Sequence, residues 1–276
     1  MSQSVPDTVP TVEAPIGYLV DTGEMPVFYQ SNVAGERTNF EGEREKRTMV
    51  IRDARALPNT FTLDVEGFAF VAHPTSVHDF YDDTELAAVY VPEVEALIAE
   101  HMDASKVFVF DHTRRSSSQT LREKHNARDP AGAAHTDYTD WSARQRIKDL
   151  LPEEAEARLA KRFAIVNVWR SVTGVIEEWP LGLCDARSVD DSRLHTVERR
   201  AYDRVGQTRH ASYDAANVWY YFPRMNRDEA VLIKNYDTAT DGRARYALHT
   251  AFEDPTSPPD AAPRESLETR ALVFFD

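Results

Sequence analysis

The run RFAIVNVWRSV (residues 162–172) is short, mostly apolar and closed at both ends by polar residues, so it reads as a strand of a packed sheet. Within it Asn167 shares a face with Phe163, Ile165 and Trp169, and a lone amide among apolar neighbours requires a partner. Similar runs fill the rest of the C-terminal half: EEWPLGLCD (177–185), RHASYD (209–214), NVWYYFPRM (217–225), EAVLIKNYD (229–237) and ESLETRALVFF (265–275). Upstream, IGYLVD (16–21), MPVFYQS (25–31), TMVIRDA (48–54) and GFAFVAH (67–73) are separated by Gly, Pro and Asn in the manner of antiparallel strands, and KVFVFDHTRR (106–115) adds one more.

Helical spacing is confined to two stretches. Residues 78–102 carry Leu86, Val89, Tyr90, Val94 and Leu97 at helical intervals, with a break expected at Pro92; residues 142–162 read as two short helices, with Pro152 in the first turn of the second. The expected fold class is therefore mainly β with supporting helices, a sandwich or barrel of which a jelly roll is one closure. Residues 1–15, with their three prolines, read as a flexible N-terminal arm. Residues 16–276 read as a single domain, its N-terminal strands and helices in 16–105 and its jelly-roll core in 106–276.

Composition narrows the function. A formal charge of -14 argues against nucleic acid or an anionic membrane as partner, because phosphate binding needs a concentrated basic face. The ten glycines form neither GxGxxG nor GxxxxGK[ST], which excludes those two nucleotide cradles. The single cysteine, Cys184, rules out an internal disulfide framework and reads as a buried inert thiol. No spanning apolar run and no leader pattern is present, so a soluble, cytoplasmic protein is expected. Oligomeric state and any partner tailoring enzyme stay open.

The chemistry concentrates in two places. In AAHTDYTDW (133–141), His135 and Asp137 stand two apart, so an extended backbone presents both to one side. Near the C-terminus, His249 precedes a Pro-rich loop, after which Arg264 and Ser266 open the last strand on a shared face with Glu268 and Arg270. Two imidazoles and a carboxylate on one face of a metal leave open positions of the kind used by non-haem Fe(II) oxygenases. An arginine fork then suits the far carboxylate of 2-oxoglutarate, and Arg264 and Arg270 compete for that role. His112 and His210 are rival ligands. The alternatives are a cupin-like metalloprotein that needs no keto acid and a non-catalytic β-sandwich binding module.

Several blocks resemble one known family in order along residues 107–275: HTDYT (135–139), NVWR (167–170), EEWPLGLCDARSV (177–189), WYYFPRM (219–225), EAVLIKNYD (229–237), HTAFEDP (249–255) and PRESLETRAL (263–272). They are similar to the Fe(II)/2-oxoglutarate-dependent enzymes that include the P8 component of the 7α-cephem-methoxylase and fungal hydroxylase/desaturase proteins. The resemblance implies a double-stranded β-helix with iron on His135, Asp137 and His249, and 2-oxoglutarate and O2 as cosubstrates. Arg264 with Ser266, or Arg270, would anchor 2-oxoglutarate, Asn167 would bond its iron-side carboxylate or a backbone group, and Tyr138, Trp169, Tyr220 and Tyr221 would line the substrate pocket or pack in the core. The chain departs from the family expectation in two respects: His249 and Arg264 lie 15 positions apart (264 - 249), a gap lengthened by DPTSPPDAAP, and WRSVTGVIEEWP (169–180) has Ser171 where similar proteins show proline after the Trp-Arg. Hydroxylation, desaturation or oxidative cyclisation of a secondary metabolite or amino-acid-derived scaffold follows as the expected activity.

Overall fold

The computed structural model describes residues 9–29, 39–58, 61–201 and 204–276. Its strands, in chain order, are β1 (Thr11–Leu19), β2 (Val27–Tyr29), β3 (Asn39–Glu41), β4 (Arg44–Asp53), β5 (Phe68–Ala72), β6 (Lys106–Ser116), β7 (His135–Thr136) and β8 (Phe163–Ser171). The series continues with β9 (Leu181–Cys184), β10 (Leu194–Arg200), β11 (Val205–Ala211), β12 (Trp219–Tyr221), β13 (Glu229–Asp237), β14 (His249–Ala251) and β15 (Glu265–Phe274). Among the described residues they form a five-stranded sheet, β5-β13-β8-β15-β6, and a ten-stranded sheet, β1-β4-β12-β9-β14-β7-β11-β10-β2-β3.

From β6 onward the chain passes repeatedly between the sheets. Strands β6, β8, β13 and β15 lie side by side in one, β7, β9, β12 and β14 in the other, which is a double-stranded β-helix. The inner faces meet through Phe68, Trp169, Val231 and Ile233 on one side and Leu181, Leu183, Tyr220 and Ala247 on the other. The expected jelly roll is what the chain builds, and the N-terminal strands extend its sheets: β4 pairs with β12 and β5 with β13.

The N-terminal arm needs correction. Residues 1–8 lie outside the described residues, but strand β1 begins at Thr11 and pairs with β4 from Thr11↔Arg52 to Leu19↔Arg44. Val12 and Ala14 are buried, and Pro15 is tolerated because β1 ends the sheet order, where a missing N–H is least disruptive. The helical stretch also differs from expectation. A π turn over Leu86–Tyr90 runs straight into α-helix Val91–Met102, with Pro92 in its first turn, so the chain stays helical. Its Tyr90, Val94 and Ile98 pack on Val166, Val168, Leu267 and Val273, covering the outer face of the five-stranded sheet. Helices over Asp140–Leu150 and Ala155–Leu159 follow β7, and Pro152 precedes the second rather than sitting in its first turn. Among the described residues no helix is long and apolar enough to cross a membrane.

Candidate metal centre

Strands β7 and β14 are neighbours, and their one paired position is His249↔His135. Side chains of directly paired residues leave a sheet on the same side, so the two imidazoles face the space between the sheets, with ring centroids 4.4 Å apart. Asp137 leaves β7 two residues later, held by its backbone N–H, which donates to Asn235 Oδ1 at 2.9 Å. His135, Asp137 and His249 are all buried and offer ligand atoms within 4.8 Å of one another. His135 Nδ1 lies 2.8 Å from the Ala133 carbonyl oxygen, a contact that orients the ring so that Nε2 points to Asp137.

His249 Nε2 is buried and has no hydrogen-bond partner among the described residues. Burial, followed by the neighbouring His135, pushes its pKa down to about 4, so the ring is neutral at physiological pH. A neutral imidazole with an orphaned nitrogen, facing a carboxylate and a second imidazole, is a donor set that fits a divalent transition metal.

The carboxylate is clamped on one side only. Asp137 Oδ2 accepts from Asn167 Nδ2 at 2.8 Å and from Arg270 Nε at 2.9 Å, whereas Oδ1 faces His135 Nε2 at 3.5 Å. Burial alone would raise the Asp137 pKa, but Arg270 and both histidines outweigh it and hold the group well below the usual carboxylate range. Asn167 therefore bonds the aspartate, because β8 and β15 place it opposite Arg270. Its Oδ1 has no partner among the described residues.

The rest of the Arg270 fork is engaged as well. It donates to Thr113 Oγ1 at 2.7 Å and to Glu268 Oε1, and its Nη1 lies 3.4 Å from Asp111 Oδ2. Glu268 is 4 % exposed, and its other oxygen lies 4.0 Å from His249 Nε2. The sequence places Glu268 on a face with Arg264 and Arg270 without giving it a role, and carries no signal for Thr113 or Asn235. The shared parity of 264, 266, 268 and 270 was the available signal for Glu268.

Arg264 is differently placed. It is 2 % exposed, its Nε donates to Ser266 Oγ at 3.1 Å, and its Nη1 donates to the Trp179 carbonyl oxygen at 2.6 Å. The guanidinium lies 5.0 Å from the centroid of the Trp169 ring. Trp179 holds a left-handed backbone, φ +49°, which is strained for a bulky residue and turns its carbonyl toward the arginine. Burial and then Arg115 push the Arg264 pKa down to about 9, and among the described residues Arg264 has no ion pair.

The other aromatics divide. Trp169 backs Arg264, and Tyr138 lies half-buried beside Asp137, its hydroxyl pushed up to about 12 by burial. Tyr220 packs with Phe61 and Phe68, and Tyr221 with Phe252, inside the aromatic clusters of the core. Of the rival ligands, His112 bonds Thr269 and His210 stacks on His135 at 5.5 Å; neither joins the metal-ready group. Cys184 is buried with its thiol pushed up to about 12, which suits an inert core residue.

Comparison with known proteins agrees with this geometry. A family model described as Oxidoreductase/YMDC permease-like domain matches residues 16–274. Hydroxylase/desaturase CTB9 of Cercospora beticola is 37% identical over 84% of this chain and 78% of its own length. Fe(II)/2-oxoglutarate-dependent dioxygenase nvfI of Aspergillus novofumigatus is 34% identical over 80% of this chain and 81% of its own. The chain belongs to the Fe(II)/2-oxoglutarate-dependent dioxygenases. The solved structure of the iron and alpha-ketoglutarate-dependent endoperoxidase NvfI superposes with a TM-score of 0.84 at 28% identity, covering 96% of the dioxygenase described here and 98% of the solved chain.

The depressed imidazoles give this dioxygenase a pH signature. An unfolded histidine takes up a proton near its ordinary 6.5, whereas folded His249 resists until about 4 and His210 is shifted in the same direction. The unfolded state thus binds more protons as pH falls, and stability is lost on acidification from about 6.5 toward 4, on the order of 3 kcal/mol for His249 alone. Urea melts of the metal-free protein at pH 7, 5.5 and 4.5 check this. A flat midpoint across that range contradicts the buried neutral rings.

Proposed function

We propose that the chain uses Fe(II), 2-oxoglutarate and O2 to hydroxylate or desaturate, or to close a ring at, an unactivated C–H position of a small secondary metabolite or amino-acid-derived scaffold. In this reading His135 and His249 supply Nε2 atoms and Asp137 supplies Oδ1 to the iron, while Arg264 and Ser266 receive the far carboxylate of 2-oxoglutarate. The orphaned, buried Nε2 of His249 is the observation that carries the reading. Bound iron with 2-oxoglutarate and O2 supplies an oxidising equivalent for C–H cleavage, with succinate and CO2 as coproducts. The chain's own part is positional: Asn167 and Arg270 fix the aspartate so that one oxygen would face the metal, and burial of His135, Asp137 and His249 limits the water around it. The names of the relatives, hydroxylase/desaturase and endoperoxidase, support oxidation at carbon as the outcome.

Anaerobic Fe(II) and 2-oxoglutarate should together produce a weak visible charge-transfer band, and admitting O2 should release succinate. No band and no metal affinity return the chain to the binding-module alternative. Metal affinity without dependence on the keto acid supports the cupin-like one.

The two arginines separate in the same assay. The Arg270 donors are occupied by Asp137, Thr113 and Glu268, whereas Arg264 keeps donor capacity and lacks a carboxylate partner among the described residues. Arg264→Met should therefore raise KM for 2-oxoglutarate roughly 10–100-fold, the value of a lost charge-assisted fork, with Arg264→Lys recovering only part of it. An unchanged KM in Arg264→Met places the anchor elsewhere.

A further inference from the structure

We propose that the mouth of the metal chamber receives an anionic substrate, with Arg115 and Arg128 taking the carboxylate of an acid whose body is apolar or aromatic. The proposal rests on the dioxygenase reading and names the substrate class of that site. On β6, Asp111, Thr113 and Arg115 pair with Arg270, Glu268 and Ser266, so the Arg115 side chain leaves the sheet on the face that carries the metal-side residues. An isolated bridge sets Arg128 beside Arg115, which turns its side chain to the same face.

The opposite sheet supplies the other wall. Arg199 on β10 pairs with Phe28, and Phe28 pairs with Phe40. The Phe40 ring is stacked 6.5 Å from His210, which in turn stacks on His135. His210 is 9 % exposed and its Nδ1 has no partner among the described residues, so a hydrogen-bonding atom stands unused beside the metal ligand. Phe28 and Phe40 are half-buried, with the Arg199 guanidinium over the Phe28 ring and the Arg44 guanidinium over the Phe40 ring, so the exposed ring edges give this wall an apolar surface.

Charge is concentrated here against the trend of the whole chain, which carries -14. Arg128 reaches solvent, yet the protein walls around it and then repulsion from Arg115, Arg199 and Arg270 push its pKa down to about 10. Such a cluster of cations, with Arg128 exposed, raises the local positive potential and favours an approaching anion. Of the nearby acids, Asp137 is held by Asn167 and Arg270, and Asp111 and Glu268 by Arg270, while exposed Asp129 acts on Arg44. Arg115 donates to the Asp129 carbonyl oxygen at 2.8 Å, and among the described residues neither Arg115 nor Arg128 has an ion pair.

The test uses full-length protein loaded anaerobically with Fe(II) and saturating 2-oxoglutarate, titrated with 2-naphthoate and with its methyl ester. The acid should bind at least roughly tenfold tighter than the ester, the value of one charge-assisted fork, and the advantage should shrink as NaCl is raised. Arg128→Gln should reduce the preference and Arg115→Gln/Arg128→Gln abolish it, while the charge-transfer band persists. Equal affinity for the two probes, no binding of either, or a preference that survives both the double variant and high salt overturns the proposal. If a variant fails to fold, the salt series on the natural protein decides. Absence of the band in the natural protein counts against the dioxygenase reading, whereas the acid-to-ester ratio still reports on the mouth.

Discussion

Replacing His249 with alanine should lower 2-oxoglutarate turnover by roughly a thousandfold or more and erase the charge-transfer band, while leaving the metal-free protein nearly as stable as before. The first effect follows from the ligand set: iron contributes several kcal/mol of transition-state stabilisation, and each 1.4 kcal/mol is about tenfold in rate. With His249 gone, only His135 and Asp137 of the metal-ready group are left, and no other described histidine or acid joins them within 4.8 Å. The second effect follows from what the side chain does without metal. Its Nε2 has no partner among the described residues and its Nδ1 reaches the Ala247 carbonyl oxygen only at 3.4 Å, so the apoprotein holds a poorly satisfied polar ring. Removing it relieves a desolvation penalty of about 1–3 kcal/mol and leaves a cavity of comparable cost. Thermal melts without metal should therefore nearly coincide, and His249→Ala should lose less stability than the natural protein between pH 6.5 and 4.5. Turnover within tenfold of the natural protein removes His249 from the ligand set.

That these three side chains come together was legible because they stand in short extended segments, where residues two apart share a side and a neighbouring strand needs only to present one more ring. The partners of Asp137 were not legible in the same way. Parity puts Arg270 on a face with Arg264, but only the register Arg270↔Asn167 between β15 and β8 shows that both side chains converge on the aspartate. Two same-face arginines looked interchangeable in sequence, and contacts across the sheet separate them. The Thr11 start of β1 was hidden because prolines usually mark loops, whereas an edge strand accepts them. Strand β10 was masked by charge: VERR reads as a solvated face, yet Val197 is buried and Arg199 turns toward Asp137 and Arg270. The short helix Gln119–His125, capped by Ser118 Oγ on the Leu121 N–H, lies in a polar run with too few apolar positions for periodicity to expose it.

Arg270→Met should destabilise the metal-free protein by about 3–5 kcal/mol, and added metal should recover more stability in the variant than in the natural chain. Arg270 serves two buried carboxylates at once, Asp137 through Nε and Glu268 through Nη2, and a third donor goes to Thr113. Methionine fills much of the volume but leaves both acids in a low-dielectric space without their cation. Burial alone would depress the Arg270 pKa, yet Asp137, Glu268 and Asp111 together raise it well above its ordinary value, which shows the strength of the mutual attraction. A divalent ion at His135, Asp137 and His249 would return positive charge beside the same aspartate, so its binding free energy should be larger where the guanidinium is missing. Arg270→Lys should not substitute, because one ammonium cannot point along the three directions that the fork now serves. Melting curves of the natural protein, Arg270→Met and Arg270→Lys, each with and without Co(II) as an air-stable stand-in for iron, measure the coupling directly. Equal metal-induced shifts in all three would mean that the guanidinium and the metal do not share Asp137, and the single-sided clamp on that carboxylate would then have to be abandoned.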